Sequence, residues 1–274
     1  MSCTTYSPPG LSRRITKLAQ AAVTLFVVAV AAPVFLNASA LNGNLSLSSA
    51  GSDTVAVNGG VIEFDFMGGV SMGFPPIATS GAIDGTGDSG LFDVTAASNG
   101  SFAAPIVGTT VTVHDLNAAD EPVGSTTGPD LPLTNFITFA AQSGWSIQLT
   151  EILPGDEGAA GCVNPTGTQC TPPGSPFNLI DESGDQVLVG FSFLGTATDG
   201  TGDVSTVAGT FSTTFSDTTY QAILADLASG DTIVSSATAT IGITPVPEPG
   251  SLSMLLLGCG LVASSAIYRR YQRR

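Results

Sequence analysis

The chain has 274 residues, 43% of them hydrophobic and only 11% charged, with 33 Gly and 17 Pro. All 22 acids fall between Leu41 and Glu248, where there is no Lys or Arg; the seven basic residues are Arg13, Arg14, Lys17, Arg269, Arg270, Arg273 and Arg274. A body near −22 repels nucleic acid and anionic membrane surfaces, which argues against a phosphate-binding partner, and it can form no Lys or Arg ion pair.

At the start, Arg13, Arg14 and Lys17 precede an apolar run from Leu18 to Leu36, broken only by Gln20 and Thr24. Ala38-Ser39-Ala40 then offers the small-x-small site that signal peptidase accepts, so residues 1–40 read as a secretory signal helix cleaved after Ala40. An uncleaved membrane anchor is the alternative.

Residues 41–245 read as one acidic, β-rich extracellular domain. Thr54 to Val57, the turn Asn58-Gly59-Gly60 and the run VIEFDF predict a hairpin, with Ile62, Phe64 and Phe66 on one face and Glu63 and Asp65 on the other. Thr109 to His114 and Phe136 to Ala140 are predicted strands. In WSIQLTEI, Trp145, Ile147 and Leu149 alternate with Ser146, Gln148 and Thr150; in QVLVGFSF, Val187, Val189, Phe191 and Phe193 share a side. Val207 to Phe215 adds a strand, and DTIVSSATATIGI aligns Ile233, Ser235, Ala237, Ala239, Ile241 and Ile243. One segment breaks the period of two: Tyr220, Ile223, Leu224 and Leu227 lie at helical spacing, with Ser216 or Asp217 as cap and Gly230 as stop. About eight to ten short strands and one short helix predict a mainly β fold, an antiparallel sandwich or jelly roll.

Of the four cysteines, Cys3 lies in the signal and Cys259 in the C-terminal apolar run. Cys162 and Cys170 remain, in the loop CVNPTGTQC, and in an oxidising compartment this spacing predicts a local disulfide. A metal site is the weaker reading, because four soft ligands and a nearby His are missing.

Candidates for chemistry are sparse. His114, the one histidine, ends a strand beside Asp115, but no G-x-S-x-G elbow accompanies it, and it reads as a surface or loop residue. Acid pairs occur at Asp120-Glu121, at Asp156-Glu157 and at Asp181-Glu182 with Asp185, all in turn-rich stretches where solvated carboxylates are ordinary. They keep open a carboxylate-dependent hydrolase of extracellular glycans as an alternative function. DGTGD occurs twice, at Asp84–Asp88 and Asp199–Asp203, and could offer calcium the oxygens of Asp84, Asp88, Asp199 and Asp203. The third position is Thr86 or Thr201 and the sixth Ser89 or Val204, so a plain turn is favoured over a calcium-dependent carbohydrate-binding module. Calcium aside, no cofactor is expected.

Residues 246–274 differ in kind. Val246-Pro247-Glu248-Pro249 can be neither helix nor central strand, because two prolines fix φ and remove donors. Gly250 to Tyr268 is uncharged over 19 residues, about 28 Å as a helix and enough for a hydrocarbon core. Arg269, Arg270, Arg273 and Arg274 then hold the cytoplasmic end as a basic stop signal. Pro247-Glu248-Pro249, the apolar run and the arginine cluster, in that order, resemble the PEP-CTERM sorting domain of Gram-negative bacteria. The resemblance implies that an exosortase-type membrane peptidase cuts at or near Pro247-Glu248-Pro249. It implies a protein anchored in the inner membrane and then delivered to the cell surface or extracellular matrix. The expected role is structural or adhesive and non-enzymatic, in the envelope, biofilm matrix or polysaccharide layer, with signal peptidase, the exosortase and extracellular polysaccharide as partners. The family's variable bodies share no catalytic residues that could be transferred.

Overall fold

The structure is a computed structural model that describes residues 40–50, 54–71, 75–81, 89–98, 100–102, 106–155, 162, 169–173, 175–182 and 186–246, together with Gly258, Leu261 and Arg269. The expected signal helix and nearly all of the expected transmembrane helix lie outside the described residues.

Alternating burial builds the wall strands. Along β1 (Gly43–Ser49) the inward residues are Leu45 and Leu47; along β6 (Ser89–Ser98), Phe92 and Val94; along β7 (Thr110–His114), Val111 and Val113. β9 (Leu133–Phe139) buries Phe136, Ile137 and Phe139, and β10 (Ser146–Leu153) buries Ile147, Leu149 and Ile152. β13 (Gln186–Thr198) and β14 (Val204–Ser216) form a 13-residue antiparallel ladder, and β16 (Thr238–Pro245) buries Ala239, Ile241 and Ile243. Their hydrogen-bonded order is β10-β9-β7-β6-β1-β16-β14-β13, and β13 pairs back onto β10, so eight antiparallel strands close on themselves. The mainly β expectation holds, and the sandwich is barrel-like.

β13 shows how closure and splitting coexist. One of its edges pairs with β14 throughout. The other pairs with β12 (Asn178–Glu182) over Gln186 to Gly190 and with β10 over Ser192 to Thr198. β12 therefore leaves the barrel wall and carries β11 (Gln169–Cys170) with it.

A phenylalanine hub fills the interior. The Phe211 ring stacks on Phe191 with centroids 5.2 Å apart and meets Phe64 at 5.3 Å, Phe92 at 5.7 Å, and Phe136 and Phe193 each at 6.0 Å. Gly209 is the register partner of Phe193, and a Cβ there would stand 2.4 Å from that ring, so only glycine fits. A second aromatic group, Phe102 on a 3-10 turn (Gly100–Phe102) with Phe139 and Trp145, packs at the other end.

The remaining strands make smaller sheets. β2 (Thr54–Val57), β3 (Val61–Phe66), β8 (Leu116–Asn117) and β15 (Ile233–Ser235) form one in the order β15-β2-β3-β8, and β4 (Gly69–Val70) pairs with β5 (Ala78–Ser80). The β2–β3 turn is as expected: Asn58 Oδ1 accepts from the N–H groups of Gly60 and Val61, each at 3.0 Å.

Three expectations need correction, the third being the helix cap. Phe66 does not share the face of Ile62 and Phe64, and Glu63 is buried. Between the pairs Ala56↔Glu63 and Thr54↔Phe66, β3 spends one residue more than β2, and this bulge turns Phe66 to the opposite side, where it packs with Ala56 and Val234. The predicted strand through DTIVSSATATIGI is also two strands, β15 in the small sheet and β16 in the barrel.

The helix, α1 (Tyr220–Ser229), is capped by Thr219 rather than Ser216 or Asp217. The Thr219 side chain accepts from Ala222 N–H, and Asp217 instead takes the left-handed bend (φ 57°) between strand and helix. Gly230 stops it at φ 85°. Ile223 and Leu227 are buried beneath it.

Candidate functional site

The loop Asp199–Asp203 joins β13 to β14. Asp199 Oδ1 accepts from Thr201 N–H at 2.8 Å and from its hydroxyl at 2.6 Å. The hydroxyl bond above all holds the Asp199 carboxyl below the ordinary carboxylate range. Gly200 (φ 82°) and Gly202 (φ 108°) supply left-handed backbone, so the geometry is that of a tight turn. Asp203 is half-buried; Asp84 and Asp88 of the first copy lie outside the described residues.

The acids that do converge are others. Carboxylate oxygens of Glu63 and Asp65 on β3 and of Asp115, between β7 and β8, lie within 4.8 Å of one another. Glu63 and Asp115 are buried and Asp65 half-buried. Asp115 Oδ1 accepts from Phe64 N–H at 2.6 Å, tying the β7–β8 corner to β3. Hard oxygens so placed could hold one divalent cation or share a proton between them. The VIEFDF alternation put Glu63 and Asp65 on the face opposite Ile62 and Phe64, and nothing local announced that Asp115 would fold back onto them.

His114 itself is half-buried, with Nδ1 3.1 Å from the carbonyl oxygen of Asp115. Among the acid pairs, Glu121 is buried, and its Oε2 accepts from Asn117 N–H at 2.9 Å. Burial, reinforced by Asp120 and Asp130, pushes its carboxyl above the ordinary range in spite of that bond. Its place is that of a turn-closing residue. Asp181 is half-buried on β12; Asp156, Glu157 and Asp185 lie outside the described residues.

A shallow groove of about 330 Å³ runs over the outer wall where β9, β10 and β13 meet, lined by Thr134, Asn135, Ser146, Gln148, Thr196 and Thr198, with Gly202 and Val204 at one end. β9 spends four residues from Leu133 to Ile137 where β10 spends two from Leu149 to Ile147, and Asn135 absorbs the excess at φ 61°. Thr196 donates to Gln148 Oε1 at 3.2 Å. The groove can offer hydroxyl and amide hydrogen bonds to an uncharged ligand but carries no carboxylate pair.

A disulfide joins Cys162 to Cys170, with Cα atoms 5.2 Å apart. At the chain's entry, Leu41 is buried, and its carbonyl accepts from the Ser205 hydroxyl at 2.5 Å, so the residue after Ala40 belongs to the core. At the exit, Pro245 still pairs with Ser205, and Val246 is exposed. Ala38, Pro247, Glu248, Pro249, Arg270, Arg273 and Arg274 lie outside the described residues, and Arg269 is exposed. Among the described residues no helix is long and apolar enough to cross a membrane.

The PEP-CTERM protein-sorting motif matches residues 245–274. Comparison with curated proteins and with solved structures finds no match. The motif implies export, membrane anchoring before sorting and processing by an exosortase.

Proposed function

We propose that this protein is a non-enzymatic structural or adhesive component of the cell surface or extracellular matrix of a Gram-negative bacterium, released there by cleavage near Pro247-Glu248-Pro249. The observation that carries this reading is the sorting motif, which begins where the last barrel strand ends, so that cutting it frees an intact barrel. The uncharged groove suits hydroxyl-rich polysaccharide, and its lack of a carboxylate pair weighs against a glycan hydrolase. Replacing Pro247, Glu248 and Pro249 together by alanine tests it: the expected result is full-length protein held in the membrane fraction, and release equal to that of the parent would refute it.

A second reading, favoured by the convergence of Glu63, Asp65 and Asp115, adds a calcium ion at that cluster. Calorimetric titration of the 41–245 body with Ca²⁺ should give one saturable heat that Asp65→Asn removes. A flat titration ends this reading.

A further inference from the structure

The two ends of the barrel are built from different chemistry, and the chain enters and leaves through the same one. Register pairs trace that rim: Ser98 opposite Asn44, Gly43 opposite Ile243, Pro245 opposite Ser205, Val204 opposite Thr198, and Thr198 and Thr138 both opposite Ser146. The 3-10 turn is stitched onto it, Ser101 N–H donating to the Asn42 carbonyl at 3.0 Å. The loops 140–145 and 199–203 meet there, since a Cβ on Gly144 would stand 3.1 Å from the carbonyl oxygen of Asp199. The chain runs into this rim at Leu41 and out of it at Val246, on the adjacent strands β1 and β16.

Among the described residues, the acids of this rim are Asp199 and Asp203. The opposite end, made by the small sheet, the 115–132 connection, β12 and the segment around α1, holds Glu63, Asp65, Asp115, Asp120, Glu121, Asp130, Asp181, Asp217, Asp226 and Asp231. Exposed apolar side chains occur at both ends, Val107, Val204 and Val246 at the rim and Met67 and Val70 at the other, so charge is what distinguishes them.

We infer that this rim is a membrane-facing surface: in the anchored precursor it lies against the phospholipid headgroups, with the acidic end directed away. The inference rests on the membrane anchoring that the sorting motif implies. Four residues lie between Pro245 and Gly250, where the apolar run begins, and the five steps from one to the other span at most about 18 Å when fully extended. The rim is thus tethered within roughly one headgroup layer of the bilayer surface, while β13, 13 residues long and tilted as barrel strands are, sets the acidic end about 30 Å farther out. Charge is felt at an anionic surface over a Debye length of about 8 Å at physiological salt. With ten described acids on the far end against Asp199 and Asp203 on the rim, the repulsion that the body feels from the surface on which it must wait for the peptidase is reduced. A body carrying these acids around its exit strand would be pushed away from that surface.

The test uses the chain from Leu41 to Arg274 with Cys259→Ser, reconstituted in phosphatidylethanolamine–phosphatidylglycerol vesicles whose headgroups carry a nitroxide quencher. One environment-insensitive dye is attached at Ser143→Cys on the rim or at Ala119→Cys at the acidic end, both exposed positions. Flotation with the vesicles and quenching of the Ser143 dye, with the Ala119 dye left bright, is the expected result. Flotation with equal quenching, with no quenching at either site, or with the Ala119 dye more quenched overturns the inference alone. Failure to float removes the anchoring reading and this inference with it.

Discussion

The two ends of the barrel divide the work of one acidic chain. The rim carries the entry and exit strands, sparse charge and tight turns; the far end carries the cross-connections, the helix, the small sheet and the described carboxylates in excess. The difference teaches that a strongly negative body need not be uniformly negative: the long connections and the small sheet collect acids, some of them buried, while the rim hairpins hold just Asp199 and Asp203 among the described residues. Both ends share one phenylalanine hub, which sets the first way to break the comparison. Phe211→Ala removes a ring in contact with Phe64, Phe92, Phe136, Phe191 and Phe193 and should cost about 3–5 kcal/mol. Denaturant unfolding followed by Trp145 fluorescence at the rim and by far-UV circular dichroism should shift together, and separated transitions would show two independent halves.

Smaller changes should touch one end only. Opening the Cys162–Cys170 loop by Cys170→Ser should cost about 2–3 kcal/mol in the chain-entropy account, read as a lower denaturation midpoint. Thr219→Ala removes the cap of α1 and should cost about 1 kcal/mol, with Thr219→Ser restoring most of it.

pH separates the ends by sign. Burial raises the Glu121 carboxyl in the folded protein, so between the ordinary range and that raised value the native state keeps a proton that the unfolded state has lost. This contribution makes stability rise as pH falls from neutral into that window, and Glu121→Gln should flatten the rise in thermal melts taken across it. Asp226 is raised in the same way, by burial first and Asp231 second. On the rim the slope reverses: the Thr201 hydroxyl lowers Asp199, a contribution present above the ordinary carboxylate range and lost as pH falls through the depressed value. Thr201→Val should bring the Asp199 titration, followed by carboxyl NMR, back up toward the ordinary range with no resolvable change in melting.

Legibility followed the range of the interactions. The hairpin at Asn58-Gly59-Gly60, the inward residues of β10 and β13 and the helix over Tyr220–Ser229 rest on periods of two or 3.6 and on turn residues, which a local stretch carries by itself. Closure through β10 and β13 rests on a pairing such as Ile147 with Ala197, fifty residues apart, and no local pattern encodes it. The reversal of Phe66 follows from one extra residue in a strand whose alternation looks unbroken. The Glu63–Asp65–Asp115 cluster was hidden because only the tertiary fold brings the corner between β7 and β8 onto β3. The sorting tail was legible because its signature is linear: a peptide, an apolar length and a charge cluster in fixed order.

The intact mass of the protein released from cells tests the processing most directly. It should correspond to a chain that begins at Leu41 and ends at or near Pro247-Glu248-Pro249, with the Cys162–Cys170 disulfide retained. A released mass that includes Arg274 would contradict it.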